Sequence, residues 1–370
     1  MATATPANPA TRDSSSTRIP RPARPTRVLV VDDSALIRQL LTEILGNDPR
    51  LEVVGSACDP YAAWDKITTL EPDVLTLDVE MPHMNGLTFL EKLMAKRPMP
   101  VVMISSLTER GAETTLRALE LGAVDFVAKP KFDVVSGTVT MADEIVDKVR
   151  AAAGAKVRPT APRAIPARPA AAAPSAASAS QPIVAIGTST GGTAALHEVL
   201  THLPADAPGI VAVIHMPENF TRTYAQRLDS ECKVRVREAK IGDRIVPGQV
   251  LLAPGNRHMT VVRQGPGFAV ALDHGDPVNR HRPSVDVLFA SCGRVLGNRA
   301  VGVLLTGMGA DGAGGLLAMR GAGSRTLVQD EATCVVFGMP REAIALGAAE
   351  EVLPLERIAG RILEVGRVRG

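Results

Sequence analysis

The chain alternates short runs of branched apolar residues with longer segments in which apolar residues recur every three or four positions. The short runs predict buried strands and the longer segments predict amphipathic helices. In the first half the predicted strands are Arg27–Val31, Glu52–Ser56, Val74–Leu77, Val101–Ile104 and Asp125–Ala128. In the second half the clearest are Ile183–Ile186, Ile210–Ile214, Val250–Ala253, Val301–Leu305 and Thr326–Gln329. Alternation of strands with helices predicts an α/β fold with two doubly wound parallel sheets.

Composition divides the chain of 370 residues into four parts. Residues 1–26 are polar and rich in proline, and we expect a disordered extension. Residues 151–182 contain fourteen alanines, six prolines and no acid, which is typical of a semi-extended linker. The predicted organisation is therefore an extension over 1–26, a first domain over 27–146, a linker over 147–182 and a second domain over 183–370.

Charge and cysteine content exclude several classes of protein. Forty-one basic residues against 39 acidic ones argue against binding to a nucleic-acid backbone. No apolar run approaches the ~20 residues that a membrane span needs, and the N-terminus lacks the apolar core of a secretory signal. The four cysteines lie far apart without a C-x-x-C pair, as expected for reduced thiols in a cytoplasmic protein.

Polar residues follow four of the five strands predicted in the first domain. Asp32 and Asp33 follow the first strand, Asp78 the third, Ser105 the fourth and Lys129 the fifth. Ligands bind at the carboxyl edge of the strands in such sheets. Three carboxylates gathered there would repel one another unless a cation joined them, and Mg²⁺ suits oxygen ligands. A carboxylate beside Mg²⁺ and a lysine can accept a phosphoryl group.

The stretches VLVVDDS, LDVEMPHMNG, MISSLT and VDFVAKP carry a resemblance to response-regulator receiver domains, which have a flavodoxin-like fold. The resemblance implies that Asp78 is the phosphorylated residue. It implies a Mg²⁺ site formed by Asp33, Asp78 and the Glu80 carbonyl, with Asp32 acting through water. It also implies three switch residues: the hydroxyl of Ser105, the ring of Phe126 and the phosphate-pairing Lys129.

A serine stands between a strand and a helix at the start of the second domain. Ser189 lies in the run GTSTGG, which fits the G-x-S-x-G pattern of a nucleophile on a sharp turn. The alternative is a glycine-rich loop that binds a dinucleotide. That reading needs G-x-G-x-x-G, whose second glycine is absent, and an acid after the next strand, where His215 stands instead.

A serine nucleophile needs a base, and the base needs an acid that fixes its tautomer. His215 directly follows the strand Ile210–Ile214, so we expect it at the same sheet edge as Ser189. Asp311 lies in the glycine-rich loop after Val301–Leu305. A structural role for the histidine and a helix-capping role for the aspartate are the alternatives. The three strand ends together favour a triad in the order Ser189, His215, Asp311, which is not the order of the α/β-hydrolase fold.

The stretches IGTSTGGTAAL, HMPENFTRTYAQRL, VLLAPGNRHMTV, RPSVDVLF, LTGMGADGAGGL and VFGMPREA resemble the Rossmann-like catalytic domain of the chemotaxis protein-glutamate methylesterases. Ser189, His215 and Asp311 match that family's triad. Thr188 stands where alanine is common and Ile214 where glutamine is common. Both neighbour triad residues, and neither removes a catalytic group.

The resemblance implies hydrolysis of glutamate methyl esters on methyl-accepting chemoreceptors in bacterial chemotaxis, with glutamine deamidation as a second activity. It implies a chemotaxis histidine kinase as phosphodonor and a cytoplasmic location. No cofactor is expected for the esterase chemistry, and no nucleic acid or membrane insertion. Candidate oxyanion donors are the backbone N–H of Thr190 and the Met308–Gly309 backbone. We expect the unphosphorylated first domain to cover the triad, and phosphorylation of Asp78 to loosen that interface.

Two alternative functions for the second domain belong to other classes of protein. The second domain could be a non-catalytic binding module, with Ser189 as a plain loop residue. It could also be a DNA-binding output, which many receiver domains control. The second half is too long and too rich in strands for a helix-turn-helix, and it lacks a basic recognition helix.

Overall fold

The computed structural model describes residues 24–81, 84–105, 108–129, 138–157 and 181–367. Most of the extension predicted over 1–26, and residues 158–180 of the predicted linker, lie outside the described residues. Their disorder and extension therefore stay predictions. None of the helices in the described part of the chain has the length and apolarity that a membrane crossing requires.

Within the described residues, the N-terminal domain is a five-stranded parallel sheet with the strand order β2-β1-β3-β4-β5. Its strands are β1 (Thr26–Val31), β2 (Leu51–Ala57), β3 (Val74–Asp78), β4 (Val101–Ser105) and β5 (Asp125–Ala128). Its helices are α1 (Ala35–Gly46), α2 (Pro60–Leu70), α3 (Gly86–Lys96), α4 (Glu109–Glu120) and α5 (Thr138–Ala153). This strand order is the flavodoxin-like one.

The C-terminal domain contains a seven-stranded parallel sheet in the described residues, with the order β14-β13-β12-β6-β7-β9-β8. The sheet strands are β6 (Ile183–Thr188), β7 (Ile210–Ile214), β8 (Arg235–Glu238), β9 (Gln249–Leu252), β12 (Ala300–Leu304), β13 (Arg325–Gln329) and β14 (Glu351–Leu353). The helices are α6 (Gly192–Thr201), α7 (Glu218–Glu231), α8 (Val285–Leu296), α9 (Ala313–Gly321), α10 (Met339–Ala345) and α11 (Leu355–Arg367). Both sheets confirm the predicted α/β class with parallel strands.

Burial on both faces explains the apolar runs of the central strands. Successive residues of β1 point to opposite faces: Val28 and Val30 pack with α1 and α5, whereas Leu29 and Val31 pack with α2, α3 and α4. A strand covered on both sides needs apolar residues at every position. Such strands stand out in the sequence, and those predicted differ from the observed ones by at most two residues at either end.

Two predictions about segments need correction. The boundary placed after residue 146 falls inside α5, which continues to Ala153 and buries Val149 and Ala152 in the core of the N-terminal domain. The strands predicted as the clearest also leave out β8 and β14 of the parallel sheet, and an antiparallel hairpin of β10 (His258–Gln264) and β11 (Gly267–Asp273). The hairpin lies outside the parallel sheet, and its tight turn, with Gly265 at φ +58°, is the signal that could have revealed it.

The two domains pack against each other through a continuous apolar cluster. Leu116 and Leu119 of α4 and Phe126 of β5 belong to the same buried cluster as Phe220 and Tyr224 of α7. The rings of Phe126 and Phe220 stack with centroids 4.6 Å apart and an interplanar angle of 12°. The α4–β5 face of the N-terminal domain therefore lies against the helix that follows His215.

Candidate active site

Ser189 lies in the tight turn that joins β6 to α6. Its backbone N–H donates to the carbonyl of Thr306 at 3.0 Å, and its carbonyl accepts from the N–H of Gly192 at 2.7 Å. Gly191 has φ +76°, and a Cβ there would come within 2.5 Å of Val335 Cβ, so only glycine fits this turn. The turn leaves Ser189 half-buried at the N-terminus of α6, where helix N–H groups favour negative charge.

His215 leaves the sheet beside Ser189 because β6 and β7 are neighbouring parallel strands. Their last pair is Thr188 with Ile214, so the next residue of each strand emerges at the same edge. His215 Nδ1 lies 3.1 Å from Ser189 Oγ. His215 Nε2 lies 2.8 Å from Asp311 Oδ2. The structure thus brings all three residues of the predicted triad into hydrogen-bonding contact.

His215 faces the serine with Nδ1 and the aspartate with Nε2. In the chymotrypsin triad the assignment is reversed, and Nε2 faces the serine. Turning the ring by half a rotation about the Cβ–Cγ bond would bring carbon atoms to both partners, since Nδ1 exchanges with Cδ2 and Nε2 with Cε1. The two contacts therefore fix the ring orientation. An ionised carboxylate only accepts, so Nε2 carries the resting proton and Nδ1 accepts from the Ser189 hydroxyl.

Asp311 is almost fully buried, with 1% of its surface exposed. Among the described residues, five groups donate to its carboxylate: His215 Nε2, Asn279 Nδ2, Ser284 Oγ, and the N–H groups of Val285 and Asp286. Burial alone would raise the pKa of Asp311. The hydrogen bond and charge of His215, followed by Asn279 and Ser284, instead hold that pKa well below its usual range. The carboxylate therefore stays ionised and keeps the histidine oriented.

The predicted oxyanion donors lie on both sides of the serine. Thr190 follows it in the turn and is buried. The other two, Met308 and Gly309, follow Gly307, whose backbone packs directly against the nucleophile. A Cβ at Gly307 would come within 2.9 Å of Ser189 Cβ and 2.2 Å of Met339 Sδ. Only glycine at 307 lets this loop approach the serine so closely.

The two departures from the family pattern fit the fold locally. The Thr188 hydroxyl donates to the carbonyl of Thr306 at 2.8 Å, so its polar atom is satisfied although the residue is fully buried. Ile214 is 1% exposed and packs in the core. Neither side chain interrupts a contact of the triad.

Sequence reasoning missed three residues that contact the triad. Asn279 and Ser284 donate to Asp311, and the ring of His281 stacks on that of His215 with centroids 3.7 Å apart. The sequence does carry a signal for Ser284, because a serine directly before an apolar helical pattern marks an N-cap. In the structure Ser284 caps α8. Asn279 and His281 lie in a loop without periodic pattern, so no signal pointed to them.

The carboxyl edge of the first sheet gathers the other predicted site. Carboxylate oxygens of Asp32, Asp33 and Asp78 lie within 4.8 Å of one another. Lys129 Nζ lies 2.7 Å from Asp78 Oδ2 and 3.4 Å from Asp32 Oδ2. The buried Asp32 Oδ2 accepts no hydrogen bond from the described residues, and Lys129 is its ion-pair partner. A buried carboxylate oxygen without a hydrogen bond, beside two further carboxylates, fits a divalent cation.

Burial raises the pKa values of Asp32 and Asp78, and repulsion from neighbouring carboxylates adds to the rise. Burial, with a contribution from Asp32, raises the pKa of Asp78 to about 6, although Lys129 opposes the rise. The pKa of Asp32 is also raised, chiefly by burial. The Glu80 N–H donates to Asp78 Oδ1 at 3.2 Å, which places the Glu80 backbone beside the carboxylates. One further cation would relieve the repulsion.

The other two predicted switch residues point toward the domain interface. The Thr115 hydroxyl of α4 donates to Ser105 Oγ at 2.6 Å, so Ser105 contacts α4. Phe126 contacts Phe220 of the second domain. The structure thus brings Lys129 to Asp78 and connects Ser105 and Phe126 to the face that packs on the C-terminal domain.

Polar contacts join the two domains close to the nucleophile. The Thr190 hydroxyl donates to Asp125 Oδ2 of the first domain. Arg227 of α7 pairs with Glu120 of α4. On the other side of the triad, Arg280 Nη2 lies 3.0 Å from Asp147 Oδ2 of α5. The residue after Ser189 therefore contacts the N-terminal domain. Coverage of the triad by that domain stays a prediction.

Comparison with known proteins finds the same two halves. Residues 184–362 match the family model of the CheB methylesterase. Residues 28–136 match that of the response regulator receiver domain. The catalytic domain of the Thermotoga maritima CheB methylesterase is 39% identical and covers half of the chain and 99% of its own, with a TM-score of 0.49. The response regulator domain of Thermotoga maritima CheB is 45% identical over 36% of the chain and 99% of its own, with a TM-score of 0.33.

Relatives match over nearly the whole chain. A protein of Bordetella parapertussis is 59% identical, over 91% of this chain and 96% of its own. One of Thiobacillus denitrificans is 55% identical over 93% of this chain and 98% of its own, and one of Pseudomonas aeruginosa is 57% identical over 94% and 98%. Each is named a protein-glutamate methylesterase/protein-glutamine glutaminase. The chain therefore belongs to the family of the protein-glutamate methylesterase/protein-glutamine glutaminases, in which a receiver domain precedes the CheB-type catalytic domain.

Proposed function

We propose that the chain hydrolyses glutamate methyl esters on chemoreceptors and that phosphorylation of Asp78 raises this activity. The observation that carries the proposal is the position of His215, with one ring nitrogen on Ser189 and the other on Asp311. That arrangement is the one acyl transfer requires. The names of the relatives supply the substrate class.

The first chemical step forms an acyl-enzyme. Ser189 Oγ attacks the ester carbonyl while its proton passes to Nδ1 of His215. The imidazolium that results is stabilised through Nε2–H by the ionised Asp311. The carbonyl oxygen becomes an oxyanion beside the N-terminus of α6, where the N–H groups of Thr190 and of the Met308–Gly309 backbone would donate to it. Each such donor contributes on the order of 3 kcal/mol to transition-state stabilisation.

Loss of methanol completes the acyl-enzyme, and hydrolysis in the second step returns the enzyme to its starting state. The C–O bond to the methoxy group breaks, and methanol leaves with the proton from His215. Water then attacks the acyl carbonyl, giving its proton to Nδ1, and glutamate is released as the Ser189 oxygen regains that proton. With a glutamine side chain the leaving group is ammonia instead. The same residues therefore support the glutaminase activity named for the relatives.

The receiver domain carries the regulatory chemistry. Asp78 Oδ attacks the phosphoryl group of a histidine kinase, the P–N bond breaks, and Lys129 pairs with the transferred phosphoryl oxygens. The residues that would hold Mg²⁺ are Asp33, Asp78 and the Glu80 carbonyl, with Asp32 through water. When bound, Mg²⁺ neutralises charge on the phosphoryl oxygens.

Contacts of the switch residues connect the phosphorylated carboxylate to the interface. A phosphoryl group on Asp78 offers acceptor oxygens that compete with the Gly111 carbonyl of α4 for the Ser105 O–H, while Ser105 Oγ accepts from Thr115 of α4. Movement of Ser105 toward the phosphoryl group would release α4. Because α4 and Phe126 both pack on α7, their displacement would weaken the contact that covers Thr190.

Methanol release from methylated receptor membranes tests the proposed function. We expect the full chain to release methanol slowly alone and several-fold faster with acetyl phosphate and Mg²⁺. Asp78→Asn keeps the shape of the side chain but removes the nucleophilic carboxylate, so this variant should keep the basal rate and lose the increase. Omission of Mg²⁺ should have the same effect as the variant.

Each failure has a different meaning. Absence of methanol release in every condition, with Asp78 still phosphorylated, would contradict the esterase. Equal rates with and without acetyl phosphate would contradict regulation through the receiver while leaving the esterase intact.

A charge reversal at the interface tests coverage of the active site. Arg227 and Glu120 are each about one-third exposed, and such a pair contributes on the order of 1 kcal/mol. Glu120→Arg places two cations together, so methanol release without phosphodonor should rise about two- to fivefold. The double variant Glu120→Arg/Arg227→Glu restores an ion pair and should return the rate to that of the parent chain. Unchanged release in the single variant would contradict inhibition through this interface.

A further inference from the structure

The segment before α8 forms a tight turn beside the triad. Val278 and His281 exchange backbone hydrogen bonds of 3.1 and 2.9 Å, and the two residues between them, Asn279 and Arg280, have φ of +52° and +67°. These values define a type I′ turn. Asparagine tolerates the left-handed region, but arginine adopts it at a cost. Surrounding contacts must therefore hold the turn in this conformation.

Side chains on both sides of the turn supply those contacts. Asn279 Nδ2 donates to Asp311 Oδ1 at 2.9 Å and to Asp286 Oδ2 at 2.7 Å. Arg282 donates through Nε and Nη2 to Asn256 Oδ1 at 3.0 and 2.7 Å. These bonds lie within the C-terminal domain, so they persist when the receiver moves away from Arg280.

The turn places the ring of His281 face to face with the ring of His215. The two planes are inclined by 14° and the ring centroids are 3.7 Å apart. In a stacked pair each ring keeps its nitrogen donors and acceptors in its own plane, so the stack leaves both nitrogens of His215 to Ser189 and Asp311. The second histidine therefore touches the base without competing for its protons.

During the catalytic cycle the stack restrains the His215 ring at a stage when one of its hydrogen bonds is lost. Rotation of a histidine ring about its Cβ–Cγ bond is weakly restrained by torsion alone. In the resting enzyme two hydrogen bonds hold His215, but once Ser189 is acylated its oxygen no longer donates, and only the bond to Asp311 remains. A ring with one hydrogen bond can tilt out of the plane in which it must activate water. A flat partner on its face restrains that tilt.

We propose that His281 is a positioning residue for the hydrolysis proposed above, holding the His215 ring between Ser189 and Asp311 through ring stacking. The inference rests on the proposed function for its activity readout, whereas its structural readout does not depend on any ester substrate.

Electrostatics around His281 agree with this role. Burial lowers the pKa of His281 to about 3, with further lowering by His215, Lys148 and Arg280, while Asp311 acts in the opposite direction. His281 therefore stays neutral when His215 becomes an imidazolium. A neutral aromatic face toward a cation is attractive, whereas a second imidazolium at this separation would repel it.

Two substitutions in the full chain test the proposal, with methanol release measured in the presence of acetyl phosphate and Mg²⁺. His281→Phe keeps a flat ring without nitrogens, and kcat should stay within about threefold of the parent chain. His281→Ala removes the ring, and kcat should fall about tenfold or more, since small misplacements of a catalytic group have effects of this size. KM should change little in either variant, because His281 acts on the base.

Proton NMR of the same proteins without substrate supplies the second readout. The Nε2–H of His215, hydrogen-bonded to Asp311, should give a downfield resonance that is sharp in the parent chain and in His281→Phe and broadened in His281→Ala. The resonance is assigned by its loss in His215→Gln. If the parent chain shows this resonance but releases no methanol, the proposed function fails while the stacking role is still tested.

Two results would overturn the positioning role. One is a His281→Ala variant with the kcat and the sharp resonance of the parent chain. The other is a His281→Phe variant that loses as much kcat as His281→Ala, since the ring nitrogens rather than the stack would then matter. Retained phosphorylation of Asp78 and an unchanged Tm exclude misfolding as the cause of either loss.

Discussion

Replacement of Ser189 by alanine should reduce methanol release by more than about 10⁴-fold, since no other oxygen takes the place of the nucleophile. The substitution removes one hydroxyl whose partner is His215 Nδ1, 3.1 Å away. The backbone of the turn is held by bonds to Thr306 and Gly192, which alanine preserves. The fold should therefore survive, and acetyl phosphate should still phosphorylate Asp78.

A buried serine of the same domain provides the matched control. Ser291 Oγ donates to the Leu288 carbonyl at 2.7 Å and accepts from the Val261 N–H at 2.9 Å, and it makes no hydrogen bond to the triad. Ser291→Ala should keep kcat within about threefold while lowering the free energy of unfolding by about 1 kcal/mol. A Ser189→Ala variant that retains a tenth or more of the parent activity would exclude Ser189 as nucleophile. Loss of phosphorylation together with esterase activity would indicate misfolding.

Asp311→Asn should lower kcat by about 10³- to 10⁴-fold, as loss of the orienting carboxylate does in other triads. Both carboxylate oxygens of Asp311 accept: Oδ2 from His215 and Val285, and Oδ1 from Asn279 and Ser284. An asparagine has only one acceptor oxygen, so in either orientation its NH₂ group faces donors. If the NH₂ group faces His215, Nε2 must give up its proton, and Nδ1 then carries the proton and cannot act as the base.

The neighbouring carboxylate Asp286 supplies the comparison for this variant. Asp286 is half-buried, accepts from Asn279 Nδ2 and from the N–H of Gly315 at the start of α9, and does not contact His215. Asp286→Asn should therefore leave kcat within about tenfold of the parent chain. Similar losses of kcat in the two variants would indicate a general effect of charge near this loop. Such a result would contradict a specific role of Asp311 in fixing the tautomer of His215.

The positions of the triad residues could be predicted because all three follow buried parallel strands. Apolar runs such as Ile210–Ile214 identify the strands, and the carboxyl ends of parallel neighbours meet at one edge of the sheet. The same reasoning gathers Asp32, Asp78 and Lys129 in the first domain. Residues at strand ends can therefore be located from the apolar runs that mark the strands and from the rule that parallel strands end at the same edge of the sheet.

Other features depend on tertiary contacts that no local pattern encodes. Which nitrogen of His215 faces Ser189 depends on where the backbone of β7 ends relative to β6. The stack of His281 depends on a type I′ turn with arginine at a left-handed position, a choice that local propensity disfavours. The end of α5 was misplaced because its last turn is rich in alanine, like the linker that follows.

The docking face of the receiver was also invisible in the sequence. Phe126 and Phe220 are 94 positions apart in the numbering and belong to different domains. Phe126 is expected as a switch residue of its own domain, and Phe220 looks like an ordinary core residue, since an aromatic side chain in a buried helix is usually explained by its own domain. Only the packing of α4 and β5 on α7 shows that these apolar residues serve the interface.

Ser189 should form a covalent acyl-enzyme with its substrate. Acid quenching of the activated full chain during turnover of a methylated receptor fragment, followed by protease digestion and mass spectrometry, detects that bond. We expect a fraction of the enzyme linked through Ser189 to the receptor glutamate, with the mass of the adduct lower than the sum of its parts by one methanol. Methanol release with the covalent bond on another residue, or with none at any quench time, would contradict this expectation.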